Sequence, residues 1–202
     1  MRGVWGQLVV LLGWVIASRT AWGFSASYDQ QVTQGDHTYA AQVTIKDHQF
    51  RIESTVEGVT SVTIRTHDGI VYNYLPQEGM AMTVPMPVGV QQPIEAGAAY
   101  TQYLQEHQAQ LLRTETLDGH LCEVYRLTDP QVGGVTTAWV WKEQQFPIRL
   151  EITQPAGQMV VRLMNIRFEI SAPNSFFELP AGVEVMDAGS MMKDVTQQLQ
   201  GQ

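Results

Sequence analysis

The sequence predicts a mainly β protein. The expected fold is a single antiparallel meander of about ten or eleven strands, curled into a half-open barrel, with an inserted amphipathic helix and a short C-terminal helix as lid. Three observations predict it. From Thr38 to Pro85 apolar and polar residues alternate with a period of two, broken only by short turn signals. Connections that short join antiparallel neighbours, because a parallel return needs a dozen or more residues. Between Ile94 and Leu112 the period changes to three and four, so one helix interrupts an otherwise all-strand chain.

The first stretch is not part of that fold. Arg2 is followed by an apolar run from Leu8 to Ala17, shorter than the roughly 20 residues a spanning helix needs. Ala21 and Gly23 supply small residues at the −3 and −1 positions of a cleavage site before Phe24, so residues 1–23 read as a signal peptide and 24–202 as one domain. Arg19 within the cleavage region also fits an uncleaved anchor. No cysteine lies at this junction, which excludes lipid attachment through a cysteine there. Loss of Arg2 and Arg19 with the leader takes the formal charge from −8 to −10. An acidic surface argues against nucleic acid and against standing attraction to anionic lipid. Cys122 is alone, so no internal disulfide forms and stability must come from packing.

Phe24 to Val32 and Thr38 to Ile45 alternate around Gln34-Gly35-Asp36, a hairpin. Lys46-Asp47-His48, Glu57-Gly58, His67-Asp68-Gly69 and Pro76 to Gly79 are further turns, separating strands that carry Phe50 and Ile52, Val62 and Ile64, Tyr72 and Tyr74, then Met80 and Met82. Pro85, Pro87 and Pro93 end the run, since proline lacks the donor a central ladder needs. The helix follows, with Tyr100, Tyr103, Leu104, His107 and Leu111 on one stripe. Strands resume with a hairpin at Asp118-Gly119, a looser loop at Asp129 to Gly134, a strand bearing Trp139 and Trp141, another bearing Ile148, Leu150 and Ile152, and a long strand from Met159 to Ile170. Phe176 to Val183 reads as a closing segment, and Met191, Met192, Val195 and Leu199 as a short terminal helix.

A curled sheet with one apolar face must cover it. The expected trough is lined by Tyr39, Val43, Ile52, Ile64, Tyr72, Tyr74, Met80, Met82, Trp139, Trp141 and Leu150, with Tyr100, Leu104 and Leu111 as the lid stripe. Methionines supply adaptable, polarizable surface suited to varied apolar shapes. The same residues also fit an ordinary apolar core.

Several segments together resemble the LolA/LolB-like periplasmic lipoprotein carriers. They are Phe24-Ser-Ala26, His48-Gln-Phe-Arg-Ile-Glu53, Tyr72-Asn-Tyr-Leu-Pro76 with Met80 to Pro85, Glu115 to Gly119 running into Cys122-Glu-Val-Tyr125, Trp141-Lys-Glu143 with Phe146-Pro147, and Phe176 to Gly182. The likeness spans nearly all of residues 24–202 and is nearest the LolA-like, outer-membrane lipoprotein-sorting branch. It implies a half-open barrel whose concave face holds acyl chains under helical lids, and an Arg51 that hydrogen-bonds the lid and holds it shut. The residues alone place Arg51 out of phase with Phe50 and Ile52, as a solvated strand residue.

The expected function is therefore a non-enzymatic, monomeric periplasmic carrier of a Gram-negative type cell, binding acyl chains of lipoproteins or phospholipid for transfer toward the outer membrane. Its partners would be an inner-membrane donor and an outer-membrane acceptor, with no nucleic acid. A second reading is a periplasmic module that senses lipid or protein through the same fold. No catalytic residues, cofactor or metal are expected. His120 and Cys122 share a strand face but have no orienting third group. Asp47-His48 and His67-Asp68 fall in separate turns. No paired carboxylates or phosphate-cradling glycine loop stand out.

Overall fold

The computed structural model describes residues 24–84, 98–129, 134–155 and 157–187. Residues 1–23, expected as a signal peptide, and the stretch carrying Met191 to Leu199, expected as a terminal helix, lie outside the described residues. Twelve strands form one sheet, in the order β12-β6-β5-β4-β3-β2-β1-β11-β10-β9-β8-β7. The first six are β1 (Ser25–Gln34), β2 (His37–Lys46), β3 (Gln49–Val56), β4 (Val59–Arg65), β5 (Val71–Leu75) and β6 (Met80–Thr83). Helix α1 (Ala98–Glu106) follows, then β7 (Gln110–Leu117), β8 (His120–Asp129), β9 (Gly134–Trp141), β10 (Phe146–Gln154), β11 (Gly157–Phe168) and β12 (Glu184–Asp187).

The sheet is two antiparallel meanders joined at their first and last strands, because β1 pairs with both β2 and β11. It does not close: β7 is one edge, and the other is β6 with β12 laid against it. The half-open barrel stands, with two corrections. The described residues form twelve strands rather than ten or eleven, and β12 pairs with β6 in parallel, Glu184 opposite Met80 and Asp187 opposite Thr83. A parallel partner requires a long return. The chain supplies one by running from the end of β11 across the outer side of the sheet.

Tight turns set the register. Glu57 and Gly58 both adopt positive φ (52° and 81°), as do Asp118 and Gly119 (50° and 84°), the conformation of two-residue hairpin loops whose twist matches the strands. Among the described residues three bulges break the pairing, of β11 with β1, of β10 with β9 and of β7 with β8. The first contains Asn165 at φ 53°, and the extra residue sharpens the local bend.

The main core joins residues from nearly every strand with Tyr100 and Leu104 of α1. Within it Phe146, fully buried, meets Tyr28, Phe24 and Phe168 at ring separations of 5.8, 6.4 and 5.3 Å. A second, smaller core lies on the outer side, where Phe177 packs on Val62 and Ile64. Gly134 at the start of β9 is needed for close approach, because a Cβ there would stand 2.8 Å from the Thr153 carbonyl oxygen. Gly134→Ala should therefore cost about 1–3 kcal/mol, read as a lowered denaturant midpoint at unchanged slope.

Candidate functional site

Pairing without bulges from β1 to β6 assigns faces unambiguously. Tyr28 stands opposite Val43, Val43 opposite Ile52, Ile52 opposite Thr63, Thr63 opposite Asn73 and Asn73 opposite Met82. These residues share one face, the side carrying Tyr28 and Val43 of the main core that α1 joins. In the next row Tyr39 faces Val32, Val32 faces Val161 and Val161 faces Leu150. The fold thus brings together Tyr39, Val43, Ile52, Met80, Met82 and Leu150 on the concave side. Val43 and Leu150 are buried, whereas Tyr39, Ile52, Met80 and Met82 are half-buried.

The expectation that Ile64, Tyr72 and Tyr74 share this face fails. Ile64 pairs with Arg51 and Tyr72, and Tyr74 with Val62, all out of phase with Ile52. The apolar side of β4 looks outward, where Phe177, Ala172 and Leu179 cover it. Its inward side is polar: Ser61 donates to Asn73 Oδ1 at 2.8 Å, and Thr63 is buried beside them. The two-residue turn at Glu57-Gly58 already carries this information. Closing Val56 onto Val59 forces Ile52 opposite Thr63.

Helix α1 presents Tyr100 and Leu104, one turn apart and 2% and 1% exposed, to the core. The rings of Tyr103 and His107 lie tilted together alongside at 4.2 Å, and His107 Nδ1 donates to the Tyr103 carbonyl at 2.9 Å. The helix ends earlier than periodicity implies, so Leu111 is not on it. Ala109 N–H donates to Leu104 O at 2.8 Å and Gln108 N–H to Gln105 O at 3.0 Å, with Gln108 at φ 54°. This double closure is a Schellman end with glutamine at the left-handed position usually held by glycine. Leu111 and Leu112 then fall on edge strand β7, 51% and 41% exposed.

Arg51 also departs from the role the resemblance implies. It lies on the outer face, pairing with Glu53 at 2.6 Å. Its guanidinium sits 5.0 Å from the Phe176 ring and donates to the Phe176 carbonyl at 3.5 Å. It holds the C-terminal strap rather than α1, as its phase against Phe50 and Ile52 requires.

Trp139 and Trp141 occupy the other half of the sheet. Trp139 is opposite Arg149, one residue out of phase with the Ala138–Leu150 pair. Its ring lies 5.0 Å from the Arg149 guanidinium and 6.0 Å from that of Arg113, and its Nε1 donates to Glu115. Hydrogen bonds from Arg113 and Trp139 hold the Glu115 carboxyl below the usual carboxylate range. The Trp141 ring lies tilted against that of His120, centroids 3.9 Å apart. The neighbouring Cys122 is buried, donates its thiol to the His120 carbonyl at 3.4 Å, and is pushed to a higher pKa by burial. A thiol so placed is a poor nucleophile. Among the described residues no three His, Cys, Asp or Glu side chains converge as metal ligands, and no helix is long and apolar enough to cross a membrane.

The sequence matches no family model and no curated protein. Its likenesses are to solved structures. An uncharacterized conserved protein from Thermus thermophilus superposes with a TM-score of 0.57 at 12% identity, over 90% of this chain and 99% of that one. MucB, solved in complex with MucA(peri), superposes with a TM-score of 0.50 at 10% identity, over 82% of this chain. This chain spans only 57% of that MucB chain. A putative outer membrane lipoprotein-sorting protein domain from Vibrio parahaemolyticus reaches a TM-score of only 0.38 at 12% identity, over 78% of this chain and 90% of that one, and carries no weight. At such identities the likeness is one of fold alone.

Proposed function

We propose that this protein binds an acyl chain of a lipoprotein or phospholipid on its concave face, beneath α1, and carries it through the periplasm toward the outer membrane. The observation that carries this reading is the placement of α1. A nine-residue helix is too short to be stable alone, yet it inserts Tyr100 and Leu104 into the core of an unclosed sheet. The half-buried Tyr39, Ile52, Met80 and Met82 share the face it belongs to.

Energetics support a reversible exchange. A long acyl chain gains on the order of 10 kcal/mol at most from burial, at about 0.8 kcal/mol per methylene. Burying Leu104 contributes about 1.5–3 kcal/mol, so a guest can replace the helix and a membrane acceptor can take the guest back. On this reading the protein is exported by residues 1–23, acts as a monomer without a catalytic group or cofactor, and exchanges cargo with an inner-membrane donor and an outer-membrane acceptor.

The test is titration of purified protein with a fluorescent fatty-acid ester. Saturable binding displaced by unlabelled phospholipid is expected. A signal that lipid cannot displace, at concentrations where a known carrier is emptied, overturns the proposal.

The complex of MucB with MucA(peri) favours one alternative, a module that uses the same fold to engage a protein partner. Stoichiometric co-purification of one protein, without extractable lipid, would support that reading instead.

A further inference from the structure

We propose that Arg65 binds the anionic headgroup, carboxylate or phosphate, of the amphiphile whose chain lies on the concave face; this rests on the acyl-binding reading above. Arg65 stands opposite Phe50 on one side and Val71 on the other, on the face shared by Ile45 and Ile52. From β1 to β6, the concave positions include no other Asp, Glu, Lys or Arg. It sits at the end of the sheet where the chain leaves β6 for α1, since Val84 N–H donates to the Val71 carbonyl at 2.8 Å. Solvent still reaches it, because it is only half-buried.

Its partners set it apart. Arg51, Arg113 and Arg149 each hold a glutamate two residues along the same strand face. Arg65 has Thr63 and His67 at the equivalent positions, and its buried Nε has no hydrogen-bond acceptor among the described residues; Arg149 Nε also lacks one, but that guanidinium is held by Glu151. A buried donor on a charged group is costly to leave unmade, and the asymmetry makes a ligand oxygen the fitting acceptor. Among the described residues, two further atoms on this face are buried without a partner: the Tyr28 hydroxyl and Gln30 Oε1, on residues 3% and 4% exposed. A pure hydrocarbon would leave all three unsatisfied. A chain ending in a polar, anionic head satisfies at least the first. The protein is acidic overall, with a formal charge of −8, so its general surface repels an anion and the local cation decides. An arginine fork also matches carboxylate and phosphate geometry better than a point charge does.

The test compares a fluorescent fatty acid, its methyl ester and lysophosphatidic acid on the wild-type chain and on Arg65→Gln and Arg65→Lys. Wild type should bind the acid about tenfold more tightly than the ester, the worth of one charge-assisted hydrogen bond. Arg65→Gln should lose about tenfold for the acid or for lysophosphatidic acid and leave the ester unchanged, with Arg65→Lys recovering part. The anion that loses more affinity identifies the source as free fatty acid or phospholipid. The thermal midpoint of Arg65→Gln should not fall, because the substitution removes an unpaired charge. Equal weakening of acid and ester, or no preference for the acid in wild type, overturns the proposal while leaving acyl binding intact. Failure of the ester itself to bind wild type overturns the acyl-binding reading, and this one with it.

Discussion

Phe177→Ala is expected to lower the unfolding free energy by about 3–5 kcal/mol, the range for emptying a fully buried phenylalanine site. Phe177 is 0% exposed and closes the small outer core on Val62 and Ile64. It is also the apolar anchor of a strap running from the end of β11 to β12. Ala172 and Leu179, only partly buried, pack beside it, and β12 pairs with β6. The other side-chain attachments are Ser25 Oγ to the Ile170 carbonyl at 3.0 Å, Lys46 Nζ to the Ala172 carbonyl at 2.8 Å and to Asn174 Oδ1 at 3.0 Å, and Arg51 over Phe176. Each is worth about 1 kcal/mol or less net at a partly wet surface, so they cannot hold the strap in its place. Loss of Phe177 should therefore free β12 and uncover the edge of β6. Urea denaturation gives the stability, and amide exchange along Glu184 to Asp187 gives the release. Phe176→Ala is the internal control: at 38% exposure its loss should cost under about 1 kcal/mol. A Phe177→Ala protein with wild-type stability and protected β12 amides would show that the strap is not held by this anchor.

The strap explains which parts of the fold were legible in the sequence. Local signals were sufficient wherever the fold is local. Glu57-Gly58, Asp118-Gly119 and Gln34-Gly35 mark real hairpins, and the alternation in Ala26 to Val32 and Ala41 to Ile45 marks real inward faces. The failures within the sheet involve partners distant in sequence. Val62 and Ile64 are as apolar as Val43 and Ile45, and nothing within β4 says that a segment more than a hundred residues later covers them from outside. Tyr72 and Tyr74 follow β4 in register and turn outward with it. The parallel pairing of β12 depends on that same distant return. At α1 the obstacle is different in kind. The stop signal is a backbone conformation, and Gln108 adopts the left-handed region without the glycine that usually announces it, so the apolar period runs on through Leu111 into a strand. Arg51 shows the converse: its phase predicts an outward position, and the structure places it there, against the implication of the family likeness.

Leu104→Ala separates a carrier from an ordinary β protein, because the two predict different signs. Leu104 is 1% exposed, and truncating it should destabilise the fold by about 2–5 kcal/mol. In a protein whose helix is simply core, acyl binding stays absent or weakens along with stability. In a carrier, α1 competes with the guest for the same apolar surface, so weakening its dock raises the population open to the guest. Apparent affinity then rises until the open state is fully populated, because the measured constant scales with the competent fraction. An increase of about tenfold or more is expected for a neutral acyl ester, within the limit set by the lost docking energy. The nine-residue helix should melt once displaced, being shorter than isolated helices need to be, so helical circular dichroism should fall as ligand is added. Lower stability together with tighter binding and ligand-dependent loss of helix is the signature of a plug. Lower stability with no gain in affinity would make α1 a fixed part of the core and remove the main support for transport.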